Sequence, residues 1–452
     1  MFRRDLRLKD NTGLINASKA SETVVPGFVF DPRLARSNPY FSHNAFQFMI
    51  ESICDLARQV ESERGSLCIF EGRPEAVVEN LIVDQDLDAV FVNRDYTAFS
   101  RARDAAMKKL CKQKGVAFHA SSDALLHEPG DVLKEDGKPY TIFSHFLRKT
   151  RSIPVRSVNS ARVNNLSDYR IAFEDREQVE NELADQNALI AVRGGRSRAL
   201  EALANLHEFA AYKIERDHYS AKSATTRLSA HNKFGTCSIR EVYHSVVSQL
   251  SAEHQLVVEL LWRDFYSHIA FFFPHVFRSP FYPKYDALSW DNAAQKFDAW
   301  RAGQTGFPIV DAGMRELNAT GFLHNRVRMI TASFLIKDLH IDWRWGERYF
   351  AQNLVDFDRV VNNGNWQWCA STGCDAQPYF RIFNPWLQQK RYDPDCTYIK
   401  RWIPQLRAFA PILLHSPNKL AKTRIPGYPT PIVDHAAEAD RAKETYRAVL
   451  KA

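Results

Sequence analysis

Two aspartates two residues apart, Asp356 and Asp358 in LVDFDRVVNN, are side chains that could do chemistry. Paired carboxylates suit acid–base work or metal binding. No third carboxylate or histidine lies close enough in sequence to make a metal site convincing, so no metal is expected. A second candidate is Thr225, Thr226, Arg227, Leu228 and Ser229, just before a helical pattern. Hydroxyls and free N–H groups at a helix start suit an anion, although an ordinary helix cap uses the same residues. A third is Glu259 with Trp262 in ELLWRDFY. At i, i+3 they share a helix face, as they also would in an amphipathic helix with a solvated glutamate. Trp290, Trp343 and Trp366 are the fourth. Indole is oxidisable, so spaced tryptophans can pass an electron, but tryptophans from distant segments are commonly just core.

The elements that must position these residues fall into two halves. Up to about residue 122, short apolar runs at 24–30, 66–72, 87–93 and 115–121 read as buried strands. Helical patterns at 43–63, 74–85 and 100–115 lie between them. This alternation predicts a parallel, doubly wound α/β sheet in a domain over 1–122. No GxGxxG follows any of these strands, so a dinucleotide fingerprint is absent. Residues 123–190 lack strong periodicity and are expected to form an interdomain linker running over the surface. From 191 to 452 the patterns are helical, at 196–217, 257–273, 296–303, 309–321 and 325–339, which predicts an all-α domain.

Composition narrows the class. The 452 residues carry 60 Lys and Arg against 53 Asp and Glu, a net charge of +7 that favours a polyanionic partner. Aromatic content of 12%, with 9 Trp and 30 Phe, fits core packing and also stacking on a flavin or on bases. Seven cysteines without a CxxC pair argue against a disulfide framework and for a reducing, cytoplasmic setting. No apolar run is long enough to span a bilayer, and the charged start MFRRDLRLKD has no apolar signal core.

The stretch NNGNWQWCASTGCDAQPYFRIFNP (362–385) resembles the signature of photolyases and cryptochromes. FRRDLRLKDNTGL (2–14), TTRLSAHNKFG (225–235) and TGFLHNRVRMITASFLIKDLHIDWRWGERYF (320–350) agree in order and spacing. The resemblance covers nearly the whole chain. Within the family, LHNRVRM (323–329) is similar to the class I cyclobutane-dimer pattern. The resemblance implies an α/β antenna domain, a helical FAD-binding domain and light-driven repair of cyclobutane pyrimidine dimers in UV-damaged DNA by a monomeric lyase. The rival it leaves is a cryptochrome-type blue-light photoreceptor.

It also implies roles. Tyr212, Thr225, Thr226, Arg227, Leu228, Ser229, Arg328, Asp356, Asp358 and Asn362 match FAD contacts, with Asn362 facing flavin N5 and Arg328 able to pair with Asp356. Trp290, Trp343 and Trp366 match the relay that carries electrons from the surface to the flavin. Glu259, Trp262, Arg263, Asn325, Arg326, Met329 and Trp368 match positions that meet the lesion or its phosphates. Asp95 and Lys233 match positions that in some members contact an antenna pigment, a deazaflavin rather than methenyltetrahydrofolate, with a second flavin or no pigment as further alternatives.

Three departures accompany the likeness. Asn365 stands where the family has Gly, read as a turn position whose positive φ Asn tolerates. Leu256 replaces a Trp or Gln that faces FAD in some members. The apolar strand that the family has ahead of FRRDLR is missing or nearly so, which bears on the antenna domain.

Overall fold

The computed structural model describes residues 1–34, 38–169, 186–221 and 224–451. Four short parallel strands form the α/β half: β1 (Gly27–Phe30) pairs with β2 (Cys68–Glu71), and β3 (Ala89–Asn93) with β4 (Ala117–Ser121). Each lies within an apolar run read from the sequence. Met1 and Phe2 lie between the two pairs. The Phe2 amide donates to the Gly27 carbonyl at 2.8 Å, and the Met1 ammonium to the Phe91 carbonyl at 2.9 Å. Met1 and Phe2 thus bridge β1 and β3.

Helices α1 (Thr12–Ala20), α2 (His43–Ser62), α3 (Pro74–Gln85) and α4 (Ala98–Lys114) accompany these two small sheets. Their ends follow local chemistry. Asn11, Ser42 and Thr97 accept backbone N–H bonds as N-caps, Pro74 opens α3, and Gly115 ends α4 at φ 75°.

Part of the 123–190 segment departs from a surface linker. Helix α5 (Phe143–Thr150) buries Phe143, Phe146 and Thr150, and both phenylalanines join the core of the helical half. Phe143, Phe146, Leu147 and Thr150 form one i, i+3, i+4, i+7 face, but two turns are too few to stand out as a period. Residues 170–185 of the segment lie outside those described.

The helical half contains α6 (Arg196–Ala204), α7 (Ser229–Phe234), α8 (Ile239–Gln249), α9 (Gln255–Phe272), α10 (Pro308–Thr320), α11 (Asn325–Lys337), α12 (Trp343–Asn353), α13 (Arg359–Cys369) and α14 (His435–Lys451), among other helices and turns. The single helix expected over 196–217 is instead broken after Ala204 and again before Tyr212. No Gly or Pro marks these breaks; tertiary packing turns Tyr212 and Arg216 towards a cavity. Ser238 and Glu241 form a capping box on α8, while His324, Asp342 and Asp358 cap α11, α12 and α13. These last three caps belong to the segments that carry the candidate residues, so cap chemistry and site geometry are set together.

Candidate flavin and lesion site

A cavity of about 430 Å³ opens between α7, α9, α11 and α13. Its lining brings together Tyr212, Thr225, Thr226, Arg227, Leu228, Ser229, Arg328, Asp356, Asp358 and Asn362, the whole expected FAD set. Glu259, Trp262, Arg263, Asn325, Met329 and Trp368 share the same walls. Residues from three distant chain segments therefore converge on one space.

The donor chemistry grades across it. Arg227 and the hydroxyls of Thr225, Thr226 and Ser229 offer partners for a diphosphate. Leu256, Leu260, Leu354 and Phe357 provide apolar wall suited to a ring system. The volume lies in the ordinary range for cofactor sites. This combination fits FAD.

The carboxylates are already oriented. Asp356 accepts from Arg328 Nη2 at 3.1 and 2.9 Å, and Arg328 also donates to the Leu323 carbonyl at 2.7 Å. The pairing expected from the sequence therefore forms. Asp358 caps α13 through Oδ1 and takes Arg4 on Oδ2. Burial raises the Asp358 carboxyl, but Arg4, Lys233 and Arg263 outweigh it and hold it below the usual range. Asn362 donates its side-chain N–H to the Glu347 carbonyl at 2.9 Å, which leaves Oδ1 as its acceptor for the cavity.

Arg4 is a residue that sequence reasoning missed. It also pairs with Asp95 at 3.2 Å and donates to the Lys233 carbonyl at 3.1 Å. Asp95 is pushed up by burial yet held at about 2 by Arg4 and Lys233, while burial and Arg4 bring Lys233 down to about 8. Of the two residues expected at an antenna, Asp95 thus pairs with Arg4, and Lys233 lines the main cavity with its carbonyl on Arg4. The only signal was Arg4 inside the FRRDLR run, with no partner indicated.

The residues expected to meet a lesion divide. Glu259 receives Arg216 and, at 2.7 Å, Gln255; both contacts fall on Oε1. Arg216 was also missed, although Tyr212 and Arg216 stand at helical i, i+4 spacing, with the guanidinium 5.7 Å from the ring centroid. Trp262 and Trp368 are half-buried in the wall, and Asn325 is exposed at it. Arg263 departs from the expectation of a lesion or phosphate contact. It is turned inward and donates to the carbonyls of Ala124 at 2.7 Å and Asn232 at 3.3 Å. Arg326 departs likewise. It is outside the cavity lining and forms a two-pronged pair with Asp217 at 3.1 and 2.6 Å. Carboxylate and carbonyl acceptors within reach satisfy both guanidinium groups better than open solvent would.

The three tryptophans show a gradient. Trp366 lines the cavity at 2% exposure, Trp343 is equally buried, and Trp290 is only half-buried. Gly346, one turn after Trp343 on α12, lies so close to Trp366 that a Cβ there would sit 2.1 Å from Cη2. Beyond Trp290, the Asp291 amide donates to the His340 carbonyl at 2.8 Å, and the Asp342 amide to Asn292 Oδ1 at 2.9 Å. These two bonds place the Trp290 and Trp343 segments side by side. Asn365, read as a turn position, is instead inside α13 and donates to the Val361 carbonyl at 2.8 Å, so no positive φ is needed there.

Residues 1–161 match the DNA photolyase family, and residues 256–448 match the FAD binding domain of DNA photolyase. The chain belongs to the DNA photolyase family. It is 35% identical over 469 residues to a deoxyribodipyrimidine photo-lyase of Alkalihalophilus pseudofirmus, covering 99% of this chain and 97% of that one. An archaeal photolyase from Sulfolobus tokodaii, solved with two FAD molecules, superposes with a TM-score of 0.89 at 39% identity, covering 99% and 98% of the two chains. A cryptochrome from Synechocystis gives a TM-score of 0.90 at 26% identity over 98% of each chain. Both the FAD-binding half and the α/β half are thus family features. Among the described residues, no helix is long and apolar enough to cross a membrane, and no cluster of His, Cys, Asp and Glu could hold a metal.

Proposed function

We propose that this protein repairs cyclobutane pyrimidine dimers in DNA under light, with FAD held in the 430 Å³ cavity. The observation that carries the reading is convergence: the FAD set and the lesion set, Arg326 apart, line one space, with α13 contributing to both through Asn362 and Trp368. When bound and reduced, the flavin supplies on blue or near-UV excitation the electron that opens the cyclobutane ring.

The side chains do the rest. Thr225, Thr226, Arg227 and Ser229 bind the diphosphate. Arg328 keeps Asp356 ionised and aimed, so that the carboxylate accepts from ribityl hydroxyls or ring N–H groups. Asn362 presents a neutral amide towards flavin N5. Trp262 and Trp368 supply apolar faces for bases taken out of the stack. Glu259 meets the exposed pyrimidine edge with Oε2, since Oε1 is held by Arg216 and Gln255. Trp290, Trp343 and Trp366 bring electrons inward from the surface. None of these residues acts as a nucleophile; the site orients, excludes water and stabilises charge.

The cryptochrome reading shares the fold, but Asn362 together with the Glu259–Trp262 pair favours repair. For an antenna, the second FAD of the Sulfolobus relative favours a second flavin over a deazaflavin, and Asp95 is already taken up by Arg4. Release and mass analysis of bound chromophores tests that choice. The test of function is incubation of reduced, flavin-loaded protein with a thymine-dimer oligonucleotide in light and in dark. Dimer loss in light alone is the expected result; equal outcomes in light and dark would overturn it.

A further inference from the structure

An indole has two faces, and in Trp262 one of them is already covered. Phe143, from the segment between the two halves, lies flat against it, with ring centroids 3.5 Å apart and planes 10° from parallel. Trp262 lines the cavity; Phe143 is buried and does not. The phenyl therefore closes the side of the indole turned away from the cavity. Phe265 and Tyr266, at 5.7 Å, also touch the indole, but they come from its own helix.

Phe143 is itself held. Its amide donates to Asp375 Oδ2 at 2.9 Å, and the Cys374 thiol donates to the Thr141 carbonyl at 2.9 Å. Cys374 and Asp375 lie in the loop that leaves α13, the helix carrying Trp368. One seam thus ties the back of Trp262 to the chain that carries the other stacking tryptophan. An unsupported half-buried indole samples several rotamers, and ordering it on binding costs affinity.

Given the role of Trp262 as an aromatic wall for the lesion, on which this inference rests, we propose that Phe143 is a positioning residue for lesion recognition. Anchored by the Thr141–Phe143/Cys374–Asp375 seam, it sets the orientation of Trp262 and so the shape of the slot that receives a flipped pyrimidine dimer. Phe143 touches no substrate. Its effect is on selection of the damaged bases, not on electron transfer.

The test uses the flavin-loaded full chain with Phe143→Ala, Phe143→Tyr and Asp375→Ala. Affinity for dimer-containing and undamaged oligonucleotides is measured beside repair per absorbed photon at saturating DNA. Phe143→Ala is expected to weaken dimer binding about tenfold, the scale of a lost aromatic pair. Undamaged binding and repair per photon at saturation should hold. Phe143→Tyr should keep the wild-type ratio, and Asp375→Ala should lose part of it. A merely structural role would lower the melting temperature and leave the dimer-to-undamaged ratio unchanged, and that result overturns the proposal. So does a Phe143→Tyr protein as unselective as Phe143→Ala. If Phe143→Ala fails to fold, Asp375→Ala decides, since wild-type selectivity there removes the seam from recognition. A wild-type chain that does not distinguish dimers at all would instead defeat the functional reading.

Discussion

Arg240 on α8 donates to Asp123 Oδ1 at 2.7 Å, while Arg7 holds the other oxygen of the same carboxylate at 2.7 Å. All three side chains are 2% exposed. Arg240 also reaches Asp10 at 2.8 Å, so four buried charges join the N-terminal segment to the helical half. A buried charge pair contributes little over an apolar substitute, but removing one partner strands the others.

Asp123→Asn should therefore cost about 3 kcal/mol or more, read as a lower melting temperature of flavin-loaded protein. Burial raises the Asp123 carboxyl, yet Arg7 and Arg240 bring it down to about 2, against an ordinary 3.8. A depressed carboxylate stabilises the fold above its unfolded value and stops doing so as pH falls through its folded value. The wild-type advantage over Asp123→Asn should be full above pH 4 and shrink towards pH 2. A constant gap across that window would exclude the linkage.

Trp290 is the most exposed of the three tryptophans proposed as a relay, so its loss should affect supply of electrons and spare repair. Trp290→Phe is expected to slow light-driven reduction of oxidised FAD with an external donor. Chemically reduced Trp290→Phe protein should repair at a near-normal rate. Folded, flavin-loaded, pre-reduced protein that cannot repair would remove Trp290 from the relay.

Glu259 and Trp262 should separate by what they change. Trp262→Ala removes a stacking face and should lose about 1–3 kcal/mol of dimer affinity, with lesion selectivity. Glu259→Ala should bind dimer DNA with modestly reduced affinity but repair it with clearly lower efficiency per photon, because its bond matters most once the dimer carries extra charge. Paired binding and photon-yield measurements on cyclobutane and six-four oligonucleotides check this. Efficient six-four repair, or full activity of both variants, would show the site misassigned.

Glu347, whose carbonyl holds Asn362, is a buried acid with Oε1 unpartnered in the structure. Burial pushes it up to about 7, with Arg359 and Tyr40 pulling the other way. A raised carboxyl binds its proton more tightly in the folded state, so its effect on stability is absent near pH 4 and becomes a full penalty above pH 7. Glu347→Gln mimics the protonated form. Its stability should match wild type near pH 4 and exceed it at pH 8 by at most about 3 kcal/mol. Unfolding midpoints across that range read the difference, and a gain that does not grow with pH would contradict it.

The residues by themselves determined the family and its chemistry. The 362–385 signature and the 225–235 and 320–350 runs have unusual side chains at set spacing. Apolar periodicity marked the four strands and most long helices because burial on one face repeats along the chain. The direction and partners of each side chain came only with the tertiary structure. Arg263 and Arg326 sit in the expected segments but spend their guanidinium groups on carbonyls and on Asp217. Arg4 meets Asp358 across nearly the whole chain, a pairing that no local spacing encodes. Phe143 lay in a stretch too short to show a period, and its face was settled by contact with Trp262. Local pattern reports which face is apolar; which charged group satisfies which depends on what folding brings within a few ångströms.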